Sequence, residues 1–400
     1  MAEYFTKRLI KEVWASSKDA KPSTCGAPGV DGVTAKDFKR NIEENINSIY
    51  IDIKSKKFEF NKLRLVKIPK DENSFRIIAI PTVRDRLVQR AILKYFLDRH
   101  KLRPDTPISY GSVPGKSVND ALDQAVKYRD KAPIVLQTDI TKFFDTIDRA
   151  KLKKSIPMNV CVSVRNLIIK AIDCEIKSSD SYDEDILISN GIKRGRGLRQ
   201  GMPLSPLLSN FFLKKFDEWL LTEEVKSIRY VDDICVFKKS ADDCLRLLDE
   251  VKLKLKKLKL SIPEIESASK TCVHHKTDAV QLLGVEIKYT SQGYKICPQN
   301  KKLPKIKAIF EKVGTLKFCI ENKLTIHKLM QKLDAIADGH RHALRNVSET
   351  EDYLKQIESF RDKQKEVFLY EFFGKFLETL DSPRRAVLGL GGFEFIAKPK

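Results

Sequence analysis

The most constraining feature of the chain is an acidic pair set inside a run of β-formers. Residues 227–237 read Ser-Ile-Arg-Tyr-Val-Asp-Asp-Ile-Cys-Val-Phe, so Asp232 and Asp233 sit between two short strand-like stretches. Strands joined at an acidic dipeptide place two carboxylates at the tip of a hairpin. Neighbouring carboxylates repel, and solvent or a bound cation relieves them. Most Asp-Asp turns are solvated loops; a third acid shifts that balance. Upstream, Ile134-Val135-Leu136-Gln137-Thr138-Asp139-Ile140 reads as a buried strand that delivers Asp139 to its exposed end. The other role open to Asp139 is a helix cap, but Asp148, directly before Arg149-Ala150-Lys151-Leu152, is the better cap.

Charge narrows the partner. With 75 Lys and Arg against 54 Asp and Glu, the formal net charge is +21, which predicts a polyanionic partner without identifying it. A hydrophobic fraction of 42% over 400 residues suffices for real cores and for two or three domains. No stretch approaches the apolar length of a membrane span, and Met-Ala-Glu-Tyr-Phe-Thr-Lys lacks the apolar centre of a signal peptide. The expectation is a cytoplasmic protein with no membrane association. The eight cysteines show no Cys-x-x-Cys pair and read as free thiols. His274-His275 and His340-Arg341-His342 lack ligand partners at metal spacing, so no zinc site is expected there.

Periodicity predicts a helix over 36–55, a strand pair over 63–68 and 75–80, and a helix over 82–98. Leu207, Leu208, Phe211, Phe212, Phe216, Trp219 and Leu220 mark a long core helix, and Cys244 to Leu258 a second one with lysines on its outer face. After Gln299 the pattern is helical throughout, and residues 301–348 carry 11 Lys and Arg against Glu311, Glu321, Asp334 and Asp338.

Three of these segments resemble the palm motifs of reverse transcriptases, in order: Asp139-Ile140-Thr141-Lys142-Phe143-Phe144-Asp145, Gly197 to Pro206 (GLRQGMPLSP), and Tyr230-Val231-Asp232-Asp233. Residues 26–38 resemble the N-terminal segment of group II intron-type enzymes, 64–92 their fingers, and 109–117 the next block. Residues 282–287 (LLGVEI) resemble the primer-grip hairpin. The resemblance spans about 26–290.

It implies an α+β right-hand polymerase: N-terminal segment and fingers over 1–110, palm over 111–298, helical thumb and tail over 299–400. It implies an RNA-directed DNA polymerase that adds dNTPs to a primer 3′ end. Asp139 and Asp232 would hold two Mg²⁺ ions, with Mn²⁺ as a substitute, the Ile140 carbonyl as an extra ligand and Asp233 beside them. Lys70 and Arg76 match fingers cations that close on the triphosphate, and Phe144 the bulky residue beneath the deoxyribose. Gln200 and Gly201 match the turn that supports the incoming base pair. Lys270 matches the family's candidate acid for the leaving pyrophosphate, although Pro263-Glu264-Ile265-Glu266 departs from the usual preceding segment.

Val231 stands where intron enzymes more often have alanine. No nuclease or DNA-binding segment is expected after the thumb, and no retron-like Val-Thr-Gly follows the palm. The pattern is most similar to stand-alone, defence-associated bacterial enzymes, whose template is commonly a non-coding RNA. A maturase-like RNA-binding protein and a template-independent or protein-primed polymerase remain alternatives. An RNA-dependent RNA polymerase must accept a 2′-hydroxyl, which Phe144 opposes. The sequence leaves the oligomeric state open.

Overall fold

The computed structural model describes residues 4–21, 26–69, 75–178, 181–266, 269–374 and 379–381. Lys70 lies outside the described residues. The chain falls into two compact units, Met1–His275 and Lys276–Lys400.

The first unit is built on two sheets. Strands β1 (Leu63–Pro69) and β2 (Phe75–Ile80) pair antiparallel, Ile68 opposite Arg76, and β1 also pairs parallel with a two-residue strand β4 (Ile176–Lys177). The second sheet has the order β5–β6–β3–β7, from β3 (Ile134–Asp139), β5 (Ser227–Tyr230), β6 (Asp233–Lys238) and β7 (Cys272–His274), all antiparallel. Side chains alternate across a strand. Leu136, Ile234 and Val236 therefore share one face, buried in the core, where helix Ala241–Lys257 packs against β3 and β6. The opposite face carries Asp139, Gln137 and Val135 beside Asp233, Cys235 and Phe237. At its far end the Tyr128 ring of helix Val118–Lys131 lies 5.6 Å from Phe237, which leaves the acidic end as the open one.

Helix starts follow their caps. The Thr82 side chain accepts from Asp85 N ahead of helix Val83–Leu97, and the Asp148 side chain accepts from Lys151 N ahead of Arg149–Ser155. The helix expected over 36–55 is broken: Ala35–Arg40 and Ile42–Lys54 meet at Asn41, whose φ of −116° and ψ of 41° are not helical. Asparagine bonds its own backbone in non-helical geometry, so a helix interrupted there is chemically reasonable. Helix Ser181–Ser189, with almost no amphipathic signature, was not anticipated.

In the second unit, β8 (Val280–Leu282), β9 (Val285–Thr290) and β10 (Gly293–Cys297) form an antiparallel meander followed by four helices, Leu303–Val313, Leu316–Asn322, Ile326–Ala343 and Glu351–Phe373. The expected division at 298 is not where the compact units part. Gln299 Nε2 donates to Val285 O (2.8 Å), Lys302 Nζ to Gly284 O (2.9 Å) and Ser348 N to Ile296 O (2.8 Å), which ties the meander to the helices after it. Nor does a boundary fall at 110. Ala79 N donates to Gln200 O (2.7 Å) and Thr106 Oγ1 to Asp217 (2.9 Å), so the two sheets and their helices form one body. Among the described residues no helix is long and apolar enough to cross a membrane.

Candidate active site

Strand register brings the acids together. Asp139 ends β3 directly opposite Asp233 at the start of β6, and Ile140 N donates to Asp232 O at 3.2 Å. Tyr230 pairs with Asp233, so Val231 and Asp232 are the two-residue turn of the β5–β6 hairpin. Val231 takes φ +60°, a left-handed conformation that a β-branched residue adopts only when its surroundings impose it.

Burial and mutual repulsion raise the acids. Burial, and then the Asp139 and Asp233 charges, push the Asp232 carboxyl up to about 6. Asp233 is raised by burial and by Asp139, with Lys270 working against the rise. The Lys270 ammonium contacts Asp139 directly. Burial by itself would lower that ammonium, yet its contact with Asp139 and the nearby Asp233 and Asp232 hold it above its ordinary range.

This donor set fits a hard divalent cation. Among the described residues no cluster of three or more His, Cys, Asp or Glu closes into a ligand cage. Mg²⁺ does not require one, because it keeps several waters and is held by one or two carboxylates together with substrate phosphates. Asp139 and Asp232 are such a pair, and the Lys270 ammonium already rests as a cation on one of them.

The remaining expected residues lie on other elements of the first unit. Phe144 is half-buried, its ring 5.3 Å from that of Phe143, and its carbonyl accepts from Leu198 N at 2.6 Å. Gly197 is needed there, since a Cβ would lie 2.9 Å from Phe144 O and 2.7 Å from Asp145 O. Gln200 and Gly201 lie against β2: at φ +108°, a Cβ on Gly201 would meet Ala79 O at 2.6 Å. Arg76 is exposed on the same strand. Ile140 is fully buried.

Sequence reasoning missed the support beneath the hairpin. Arg229, wholly buried, donates through Nε and Nη2 to the two oxygens of Asp217 (2.6 Å each) and through Nη1 to Asn210 Oδ1 (3.1 Å) and Val231 O (2.9 Å). The available signal was a lone cation in the apolar run of β5 and a lone acid in the stripe of helix Ser205–Thr222.

A reverse transcriptase (RNA-dependent DNA polymerase) family model matches residues 68–287, more than half the chain and the whole of this site. The chain belongs to the reverse transcriptase family. It has that family's right-hand polymerase fold, of α+β class. Protein YkfC of Escherichia coli K12 is 30% identical over 207 residues, 48% of this chain and 50% of that protein. The retron Ec83 reverse transcriptase of E. coli is 28% identical, covering 52% of this chain and 63% of that one. The group II intron-encoded protein LtrA of Lactococcus lactis is 27% identical, covering 46% and 29%. The chain thus spans less than two thirds of the length of each of these relatives. A structure of telomerase from Candida albicans with a telomeric RNA fragment aligns over 85% of this chain and 67% of that one, with 13% identity and a TM-score of 0.44.

The raised carboxyl carries a stability prediction. An acid with a folded pKa above its unfolded one contributes stability below the unfolded value and loses it as pH rises through the folded value. For Asp232 the loss runs from about pH 4 to about pH 6 and is complete at pH 7. Asp232→Asn should therefore raise the stability of EDTA-treated protein at pH 7 by about 1–2 kcal/mol, discounted for partial exposure, or roughly 2–6 °C in Tm. At pH 4 the two proteins should melt together. Equal melting at both pH values would mean that neither burial nor the neighbouring acids penalise the ionised Asp232 carboxylate.

Proposed function

We propose that the protein is an RNA-directed DNA polymerase extending a primer 3′ end with dNTPs, and that it works as a stand-alone bacterial enzyme with a non-coding RNA in antiphage defence. The polymerase reading is carried by one observation: Asp139 and Asp232 face each other at the open end of the second sheet, in an arrangement that strands β3, β5 and β6 impose. The defence reading rests on sequence similarity to stand-alone enzymes and on a retron enzyme among the relatives.

Divalent cations bound by these acids supply charge neutralisation at the triphosphate and a lower pKa for the primer hydroxyl. The chain supplies the rest. Asp139 and Asp232 hold fixed negative charge that orients the reacting groups, with Asp233 adjusting the local field. Arg76, and Lys70 by sequence, offer cations to the phosphates. Gly201 permits close backbone approach to the incoming base pair. Phe144 excludes a 2′-hydroxyl. Lys270, whose ammonium contacts Asp139, would give a proton to the leaving pyrophosphate.

The second unit suits a phosphate grip. A half-open cleft of ≈ 570 Å³ there is lined by Gly284, Lys301, Lys302, Lys305, His340 and Tyr353. Burial, then Lys301, depress the Lys302 ammonium, and burial, then Lys302, depress His340. Beyond burial, the neighbouring ammonium charges press on one another, and a bound phosphate would relieve them. Replacing Lys301, Lys302, Lys305 and Lys307 by Gln should reduce the slope of log RNA affinity against log salt by up to about 3, since each phosphate contact contributes roughly 0.7–0.9. An unchanged slope places the nucleic-acid track elsewhere. In the same titration Asp139→Asn should bind RNA at least as tightly as the parent. A maturase-like binder shares that result, but only the polymerase loses primer extension with it.

A further inference from the structure

On the polymerase reading above, we propose that Arg229 is a positioning residue for Asp232, holding the strained Val231 peptide in place through a buried network with Asp217 and Asn210. The guanidinium meets three demands at once. Two of its N–H groups engage Asp217 side-on, a third direction reaches Asn210, and Nη1 also donates to the Val231 carbonyl at 2.9 Å. Asp217 is fixed in turn by Thr106 Oγ1 at 2.9 Å, and Asn210 Nδ2 donates to Gly111 O at 3.1 Å.

The network grips the turn from both sides. Gly111 presses against Val231 so closely that a Cβ would lie 2.6 Å from both its nitrogen and its Cγ2. The 108–111 segment is stitched to β5 by Arg229 N donating to Ile108 O (2.8 Å) and Tyr110 N donating to Arg229 O (2.9 Å). A left-handed β-branched residue is strained and persists only where its neighbours determine it. Here the determining groups are Gly111 on one side and the Arg229 guanidinium on the carbonyl. The direction of that carbonyl sets the peptide leading into Asp232, whose own carbonyl accepts from Ile140 N and whose carboxylate faces Asp139.

A plain structural role makes a different prediction. A buried ion pair replaced by apolar side chains of similar volume often leaves stability unchanged, so the pair need not be kept for the fold. Lysine has a point charge, and cannot reach Asp217, Asn210 and the Val231 carbonyl together.

Three variants test this: Arg229→Lys, the double variant Arg229→Met/Asp217→Leu, and Gly111→Ala, which leaves the ion pair intact and pushes the turn from the other side. Each is compared with the parent by thermal melting, by Mn²⁺ titration followed by electron paramagnetic resonance, and by primer extension. The expected result is Mn²⁺ affinity about 10-fold weaker in all three, and kcat lower by roughly 100-fold with KM for dNTP within about 3-fold, as an ångström-scale misplacement produces. The double variant should melt close to the parent while showing the same losses. Parent-like Mn²⁺ affinity in folded double variant and Gly111→Ala would overturn the proposal. If the parent binds Mn²⁺ through Asp232 but extends no primer, the polymerase reading fails, and the Mn²⁺ comparison still decides the role of Arg229.

Discussion

Asp139→Asn or Asp232→Asn should lower metal-dependent DNA synthesis by at least about 10³-fold while the protein stays folded. Each substitution removes one of two anionic oxygen sets that face each other across β3 and the β5–β6 turn, and with it the fixed charge on which metal-assisted phosphoryl transfer depends. The shape of the site is kept, because Asn is isosteric, and Asp232→Asn also relieves the burial penalty and the repulsion from Asp139 that push its carboxyl up to about 6. Melting temperature should hold or rise as activity collapses. Asp233→Asn should cost less, since Asp233 pairs with Asp139 from the start of β6 without standing in the turn. The measurement is primer extension on an RNA template with Mg²⁺ and dNTPs, with RNA affinity in parallel. Near-normal extension by either of the first two variants would refute the assignment.

Phe144→Ala or Phe144→Val should raise ribonucleotide incorporation relative to dNTP incorporation by about 10- to 100-fold in the ratio of kcat/KM, because sugar discrimination acts on transition-state binding. The half-buried ring leans on Phe143, while its backbone is anchored by Leu198 N and pressed by Gly197. Truncation therefore removes the ring without releasing the backbone. A fully buried Phe costs roughly 3–5 kcal/mol on truncation; this one, only partly covered, should cost about 1–2. A drop in melting temperature with an unchanged dNTP/rNTP ratio would make Phe144 an ordinary packing residue, and would remove the main reason for naming the product DNA.

Local chemistry made much of this legible in the sequence. β-Branched runs around 63–68, 75–80, 134–140 and 227–237 announced strands whose bounds hold to within a residue or two, since period-2 burial leaves a plain trace. The same trace put Asp139 at a strand end and Asp232 at a hairpin tip. Where local signals compete, the reading failed. Asn41 divides one apolar-faced segment into two helices, and Thr315, accepting from Phe318 N, starts a short additional helix, Leu316–Asn322, that no apolar stripe after Gln299 marked.

The sequence by itself determined which residues carry charge and which strands present them, because alternation and turn chemistry are local. Only the tertiary structure decided that Asp139 and Asp233 stand in register, that Lys270 reaches Asp139 from far along the chain, and that residues 280–297 pack with the helices that follow them. It also gave Arg229 and Asp217 their purpose. In the sequence they are two charges misplaced in apolar runs; folded, they close on each other in the buried interior, and Arg229 holds the carbonyl of Val231. Pairings of this kind depend on which distant backbone comes within hydrogen-bond reach, and that is set by the packing of whole elements, which no local pattern encodes.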